Sequence, residues 1–330
     1  MSADAQTTTR GKQPAASDVR TPGHEAIVVE NFSKSYGSHR VVDHVGFTVQ
    51  AGEVFALLGP NGAGKTTTVE TLEGYRKADE GTVRVLGLDP IRDAATLKPQ
   101  IGVMLQQDGL YPALTASEAL RLFASYYERP QQSEALLERV GLSDAAKTRC
   151  RRLSGGQKRR LALAVALVGN PRLVFMDEPT AGMDPQARLA TWEIIRDLKR
   201  GGATVLLTTH LMDEAERLAD RVAIIDHGRL IALDTPANLT GGQNATAVRF
   251  VAPAGLDCRQ LAAFSSVSRA EEVRPGSYVI DVTRAEEVPA LLAELTAWLR
   301  DNTITLSELR VGHGSLEDLF LRLTGTEVRE

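Results

Sequence analysis

The stretch Val54-Phe55-Ala56-Leu57-Leu58-Gly59-Pro60-Asn61-Gly62-Ala63-Gly64-Lys65-Thr66-Thr67 decides the fold. Val54–Leu58 reads as a buried strand, Gly59 to Gly64 as a glycine-rich turn, and Thr67 onward as a helix. Glycines let the backbone curl so that several N–H groups face one phosphate group, and the helix N-terminus adds its positive dipole end. Lys65 is placed to reach the β- and γ-phosphates of a nucleotide, and the Thr66 hydroxyl to hold Mg²⁺. An ordinary turn would account for the glycines. It would not account for the lysine, the threonine and both flanking elements together.

A second signal lies downstream. In Leu173-Val174-Phe175-Met176-Asp177-Glu178-Pro179, four apolar residues run into two acids. A buried strand ending this way puts both carboxylates at the carboxyl edge of a parallel sheet, where ligands bind. Asp177 suits a Mg²⁺ contact, and Glu178 suits a general base that polarises the attacking water. Between the two motifs, 23 residues before Asp177, stands Leu153-Ser154-Gly155-Gly156-Gln157 at the start of a helical pattern. This is a second anion-binding helix N-terminus. A chain with one phosphate cradle needs no other for the same nucleotide, so this cradle is expected to serve a nucleotide held by a second copy of the chain.

With these three motifs, residues 26 to about 240 resemble the nucleotide-binding subunit of an ABC transporter. The resemblance implies an α/β fold: a P-loop NTPase with a RecA-like core, an antiparallel β subdomain and an α-helical insertion. It implies that Gly59, Pro60, Asn61, Gly62, Ala63, Gly64, Lys65, Thr66 and Thr67 cradle ATP, and that Tyr36 stacks on adenine. Gln106 matches the family's Q-loop glutamine, at the nucleotide and the metal; Thr66 and Asp177 complete the implied Mg²⁺ set. Ser154, Gly155, Gly156 and Gln157 match the signature loop, and Asp184 the D-loop aspartate. His210, 32 residues past Glu178, matches the switch histidine that senses the γ-phosphate. Lys65, Glu178 and His210 form the expected catalytic group.

The rest of the chain is consistent with this. It has 330 residues, 43% hydrophobic and 24% charged, with a net charge of −4. That is ordinary globular composition, long enough for about two domains, and it excludes a disordered protein or a binder of nucleic acid driven by bulk positive charge. Two cysteines, Cys150 and Cys258, are too few for a disulfide scaffold. The longest apolar run, Leu161 to Val168, is eight residues, far below the roughly 20 that a spanning helix needs. Contact with a membrane is therefore expected through integral membrane permease subunits, with the chain peripheral on the cytoplasmic face.

Residues 1–24 read as a polar tail and 25–240 as the ATP-binding domain, with the helical insertion at about 106–160. Residues 241–330 read as a small C-terminal α+β appendage beginning at the linker Thr240 to Asn244. Strands are expected at Ile27–Glu30, Gly46–Val49, Thr82–Leu86, Gly102–Leu105, Leu173–Met176, Thr204–Thr208 and Val222–Ile225, then at Ala247–Val251 and Tyr278–Val282. Val288, Leu291, Leu292, Leu295 and Leu299 share one helix face. Thr115-Ala-Ser-Glu118 and Ser315-Leu-Glu-Asp318 read as helix caps. The basic cluster Arg149, Arg151, Arg152, Lys158, Arg159 and Arg160 reads first as a solvated face, and otherwise as a contact for an acidic partner.

One unsplit cassette points to a transport ATPase rather than a soluble ABC ATPase acting on ribosomes or DNA. The Leu-Ser-Gly-Gly-Gln element disfavours a generic P-loop NTPase. The tail Gly314 to Gly325 resembles that of daunorubicin-type drug-resistance exporter ATPases, which implies export of a drug-like or lipidic compound. No nucleic-acid partner is expected.

Overall fold

The computed structural model describes residues 25–104, 109–241 and 246–324. The polar tail, Gln106 with its neighbour Gln107, and Gly242, Gln243 and Asn244 lie outside the described residues.

In chain order the part read as ATP-binding, among its described residues, contributes nine strands: β1 (Glu25–Tyr36), β2 (His39–Gln50), β3 (Val54–Leu58), β4 (Glu80–Val85), β5 (Ile101–Met104), β6 (Leu173–Asp177), β7 (Thr204–Thr208), β8 (Arg221–Asp226) and β9 (Arg229–Asp234). Four more follow: β10 (Thr246–Val251), β11 (Val267–Arg274), β12 (Ser277–Val282) and β13 (Glu308–His313). They form three sheets. One is antiparallel, β2-β1-β4; one is mixed, β5-β6-β7-β3-β8-β9, parallel up to the antiparallel edge strand β9; the third is antiparallel, β11-β12-β10-β13.

The mixed sheet is the centre of the molecule. All five residues of β3 and of β7 are buried, as expected of parallel strands covered on both faces. Their alternation sorts the core into two layers. Phe55, Leu57, Phe175, Leu206 and Ile225 face the antiparallel sheet and pack with Ile27, Phe32 and Phe47. Phe47 and Phe55 stack at 5.2 Å between centroids. Ala56, Leu58, Val174, Met176 and Leu207 face the helices on the other side.

Between β5 and β6 the chain is helical, with Ala116–Ala124, Ser133–Arg139 and Gly155–Leu167. Thr115 opens the first of these with a capping box: its hydroxyl accepts from Glu118 N–H, and the Glu118 carboxylate accepts from Thr115 N–H.

The third sheet carries its own core. Val248, Phe250, Tyr278 and Ile280 pack under Leu291, Leu295 and Leu299 of the helix Val288–Asp301. The last helix, Leu316–Thr324, packs across both parts. Its Leu316 and Phe320 are buried in the helical-side core of the ATP-binding part, with Ala215 and Leu218. Its Asp318 and Arg322 pair with Arg249, and with Asp281 and Glu271, of the third sheet.

β1 and β2 run longer than the alternation alone predicts. Register shifts on either side of Phe32, and positive φ at Asn31 and His44, break the period-2 pattern while pairing continues. β9, β11 and β13 were not expected. β9 carries an unbroken apolar run, Leu230 to Leu233, with no alternation, β11 is charge-rich and mostly half-exposed, and Glu308 to Val311 of β13 are exposed.

Candidate active site

The phosphate loop leaves β3 at its carboxyl end and curls around its own lysine. Lys65 Nζ donates to the carbonyls of Gly59 at 2.6 Å and Pro60 at 3.0 Å. The loop is seated on the β8–β9 turn through Gly228 N–H to the Ala63 carbonyl at 3.1 Å. Two of its glycines are obligatory. A Cβ on Gly59 would lie 2.2 Å from the Ile225 carbonyl oxygen. Gly64, at φ +102°, would place one 2.8 Å from that of Val41. The N-terminus of the helix Lys65–Leu72 follows, with Thr66 exposed at its first turn.

The acids stand nearby on the same sheet edge. β6 ends at Asp177, whose Oδ1 accepts from the Thr208 hydroxyl of the adjacent β7. Glu178 follows with φ +49°, a left-handed conformation that costs a non-glycine residue about 1–3 kcal/mol. Glu178 N–H donates to the Thr208 carbonyl at 2.9 Å, which helps hold that conformation. His210 Nδ1 lies 3.2 Å from Glu178 Oε1.

The charges are coupled. Burial pushes the Lys65 ammonium below its ordinary range, against the opposing pull of Glu178 and Asp177. Burial, and more weakly the neighbouring Glu178, pushes the Asp177 carboxyl up. The hydrogen bond with His210 holds the Glu178 carboxyl low, and the same bond raises the imidazole. The structure therefore brings Lys65, Asp177, Glu178 and His210 to one place.

The signature residues occupy a different position. Ser154 caps the helix Gly155–Leu167: its hydroxyl accepts from Gln157 N–H at 3.2 Å, and Gln157 Oε1 accepts from Ser154 N–H at 2.9 Å. Ser154 and Gly155 are exposed, and Gly156 and Gln157 half-buried. Asp184, also exposed, caps the helix Pro185–Arg200 through Ala187 N–H at 2.9 Å. Tyr36 is 42% exposed at the end of β1, with the Arg76 guanidinium 5.3 Å from its ring centroid.

Four residues around the site escape the motif reading. Thr208 holds Asp177; the β6–β7 register, which pairs the two residues, is the signal that could have found it. Glu214, fully buried, accepts from Thr180 Oγ1 at 2.7 Å and Trp192 Nε1 at 2.9 Å. It thereby joins the turn after Glu178 to the helix Met212–Leu218 that follows His210. Arg159 and Arg160, read as part of a solvated basic face, instead turn inward. Arg159 Nη1 donates to the Asp177 carbonyl at 3.3 Å, and Arg160 Nη1 to that of Gly141 at 2.9 Å. Arg159 shares a helix face with Ala162, Val165 and Ala166, the spacing that marks an inward side.

Arg159 also lines a cleft of about 720 Å³ between the core and the helical segment, with Glu73, Tyr75, Phe123, Tyr127 and Val165. Burial raises the Glu73 carboxyl from the ordinary 4.5 to about 8, with smaller contributions from Asp177 and Glu70.

The donors fit a nucleotide and a hard cation. The glycine cradle admits no side chain at Gly59 or Gly64, and Thr66 and Asp177 offer the oxygen ligands that Mg²⁺ prefers. Among the described residues no cluster of three or more His, Cys, Asp or Glu forms a dedicated metal cage. No helix among them is long and apolar enough to cross a membrane.

Comparison with known proteins finds the chain similar to ABC transporter ATP-binding proteins. A family profile described as ABC transporter matches residues 42–181. The linearmycin resistance ATP-binding protein LnrL of Bacillus subtilis is 38% identical over 92% of this chain and 100% of its own length. The daunorubicin/doxorubicin resistance ATP-binding protein DrrA of Streptomyces peucetius is 36% identical over 93% of this chain and 94% of its own. Among solved structures, an ATP-binding subunit of an ABC transporter superposes with a TM-score of 0.61 at 31% identity, covering 65% of this chain and 91% of that one. A dimeric ATP-binding cassette in a post-hydrolysis state, bound to ADP and Pi, gives 0.59 at 26% identity, covering 63% and 98%.

Proposed function

This chain belongs to the family of ABC transporter ATP-binding proteins, ATP hydrolases of the P-loop class, and we propose that it energises an exporter of a drug-like or lipidic compound. One observation carries the export reading: the likeness to resistance proteins runs through the C-terminal unit as well as the cassette, over 92% of the chain.

In this reading two copies bind two ATP molecules head to tail, each between Lys65 of one chain and Ser154 of the other. The phosphate-loop N–H groups and Lys65 hold the phosphates, with Thr66 and Asp177 at Mg²⁺. Gln106 would stand beside them. When bound, Mg²⁺ neutralises charge that develops on the phosphate oxygens. Glu178 takes the proton of the attacking water, and His210, 3.2 Å away, orients it. The exposed Tyr36 ring is available to adenine. The cleft beside Arg159, lined by Tyr75, Phe123 and Tyr127, would seat a cytoplasmic segment of the membrane subunit.

The test is functional. The chain is expressed in a drug-sensitive host with a multi-span membrane protein encoded beside it. Resistance is expected with the wild-type pair and is lost with Glu178→Gln. Resistance that persists with Glu178→Gln would count against an ATP-driven exporter.

A further inference from the structure

The third sheet has two edges, and the chain treats them differently. β11 is the more sheltered: apart from Ser268 and Arg269 its residues are half-buried, with the helix Cys258–Ala262 and the last helix packed against it. Among the described residues nothing pairs with the outer side of β13, and Ser307, Glu308, Leu309, Arg310 and Val311 are all exposed. An uncovered edge strand presents unpaired N–H and C=O groups and is a template for another strand. The side chains add to this. Leu309 pairs with Phe250, and Val311 with Val248, so both apolar residues lie on the face that the helix Val288–Asp301 covers elsewhere. At the edge that cover stops, leaving Leu309 38% and Val311 46% exposed. Glu308 and Arg310 project from the opposite face, joined by an ion pair at 3.3 Å.

The order Ser-Glu-Leu-Arg-Val is complementary to itself in one register. A two-fold antiparallel pair keeps each residue on its own face, so it must be centred on a residue. Centred on Leu309, it sets Leu309 against Leu309, Ser307 against Val311, and Glu308 against Arg310 twice. Centred on Arg310 it opposes two arginines, and centred on Glu308 two glutamates. Centred on Val311 it opposes both charged residues with glycine. Opposite charges directly across an antiparallel pair contribute about 0.2–1 kcal/mol each, and like charges cost similar amounts.

We propose that β13 pairs with β13 of a second copy of this chain, centred on Leu309, giving a self-contact that needs no nucleotide. A five-residue pairing is weak alone. Between chains already joined at their nucleotides it acts at high effective concentration, and it would keep two copies together when the ATP-bridged interface opens.

The register makes the proposal testable by disulfide trapping in the full chain, without nucleotide, in a Cys258→Ser background. Leu309→Cys is expected to cross-link under mild oxidation, and Val311→Cys is not, because its partner is Ser307. Adding Arg310→Glu to Leu309→Cys should slow cross-linking about tenfold, since both charge pairs become repulsive. Adding Glu308→Arg as well should restore it. All four positions are exposed, so the variants should fold, which circular dichroism checks. Equal cross-linking at 309 and 311, no product at 309, or failure of the double charge reversal to restore the rate overturns the proposal.

Discussion

Arg159 Nη1 donates to the main-chain carbonyl of Asp177 at 3.3 Å, tying the helix capped by Ser154 to the strand end that carries the two acids. The next residue in the chain is Glu178, held at φ +49°. A movement of that helix would therefore reach the backbone that aims the proposed base. Arg159 would act as a positioning residue, distinct from any group that touches ATP.

Replacing Arg159 with Ala should lower kcat about ten- to hundredfold, the scale of a base displaced by about an ångström. The KM for ATP should change little, because the phosphate loop is untouched. Arg159→Lys should recover part of the rate. Steady-state kinetics on the three proteins check this, and a large rise in KM with unchanged kcat would contradict it.

Glu178→Gln keeps size and hydrogen bonding and removes the base. Turnover should fall about 10²–10⁴-fold while ATP still binds, and an ATP-trapped dimer should appear on gel filtration. Near-normal steady-state hydrolysis by the purified variant would remove Glu178 from the role.

Much of this architecture is legible in the sequence because its signals are local. β3 and β7 fall on the residues predicted, since short runs of apolar and β-branched residues bounded by turns, Val54–Leu58 and Thr204–Thr208, have few alternatives. Val288 to Leu299 announces its helix by spacing. What escapes depends on tertiary partners. β13 is an exposed strand that, among the described residues, pairs only with β10, some 60 residues earlier in the chain. The motifs indicate which residues carry charge, but the hydrogen bond that holds Arg159 depends on the tertiary approach of the Asp177 carbonyl, 18 residues later in the chain. The fold also returns Leu316 and Phe320 to the ATP-binding core, and no pattern within the last helix indicates which part of the molecule it packs against.

The exposed signature loop suggests an experiment on pairs of chains. If Ser154 meets nucleotide only in trans, a mixed dimer of Lys65→Ala and Ser154→Arg chains has one doubly damaged site and one intact site. It should recover part of the activity that each pure variant lacks. ATPase assays on co-purified, differently tagged chains measure this. Absence of recovery in confirmed mixed dimers would count against a trans site.

Glu73 makes stability depend on pH. Its carboxyl ionises near pH 8 in the fold and near 4.5 when unfolded, because burial disfavours the charge. As pH rises through that window the unfolded chain loses the proton first, so the folded state is progressively destabilised. Above about pH 8 the penalty reaches about 3–5 kcal/mol. Glu73→Gln removes the titration while keeping the shape. Its melting temperature should match wild type below about pH 4 and exceed it increasingly towards pH 8. Parallel melting curves across that range would show that the carboxyl finds a compensating partner.

Phe320 is fully buried in the ATP-binding core, although it lies in the last helix of the chain. The helix is anchored beside it, with the Leu316 N–H donating to the Glu216 carboxylate. Phe320→Ala should cost about 3–5 kcal/mol, the usual range for a buried phenylalanine, out of a total stability of about 5–15 kcal/mol. A chain ending at Thr240 loses Leu316 and Phe320 together and should unfold at a lower temperature still. Neither change touches a nucleotide contact, so ATP affinity of the folded fraction should remain similar to wild type. Thermal melts with and without ATP, beside equilibrium binding, separate the two effects. Weaker ATP binding by a truncated chain that melts like wild type would mean that the C-terminal helix acts on the site itself rather than on the stability of the core.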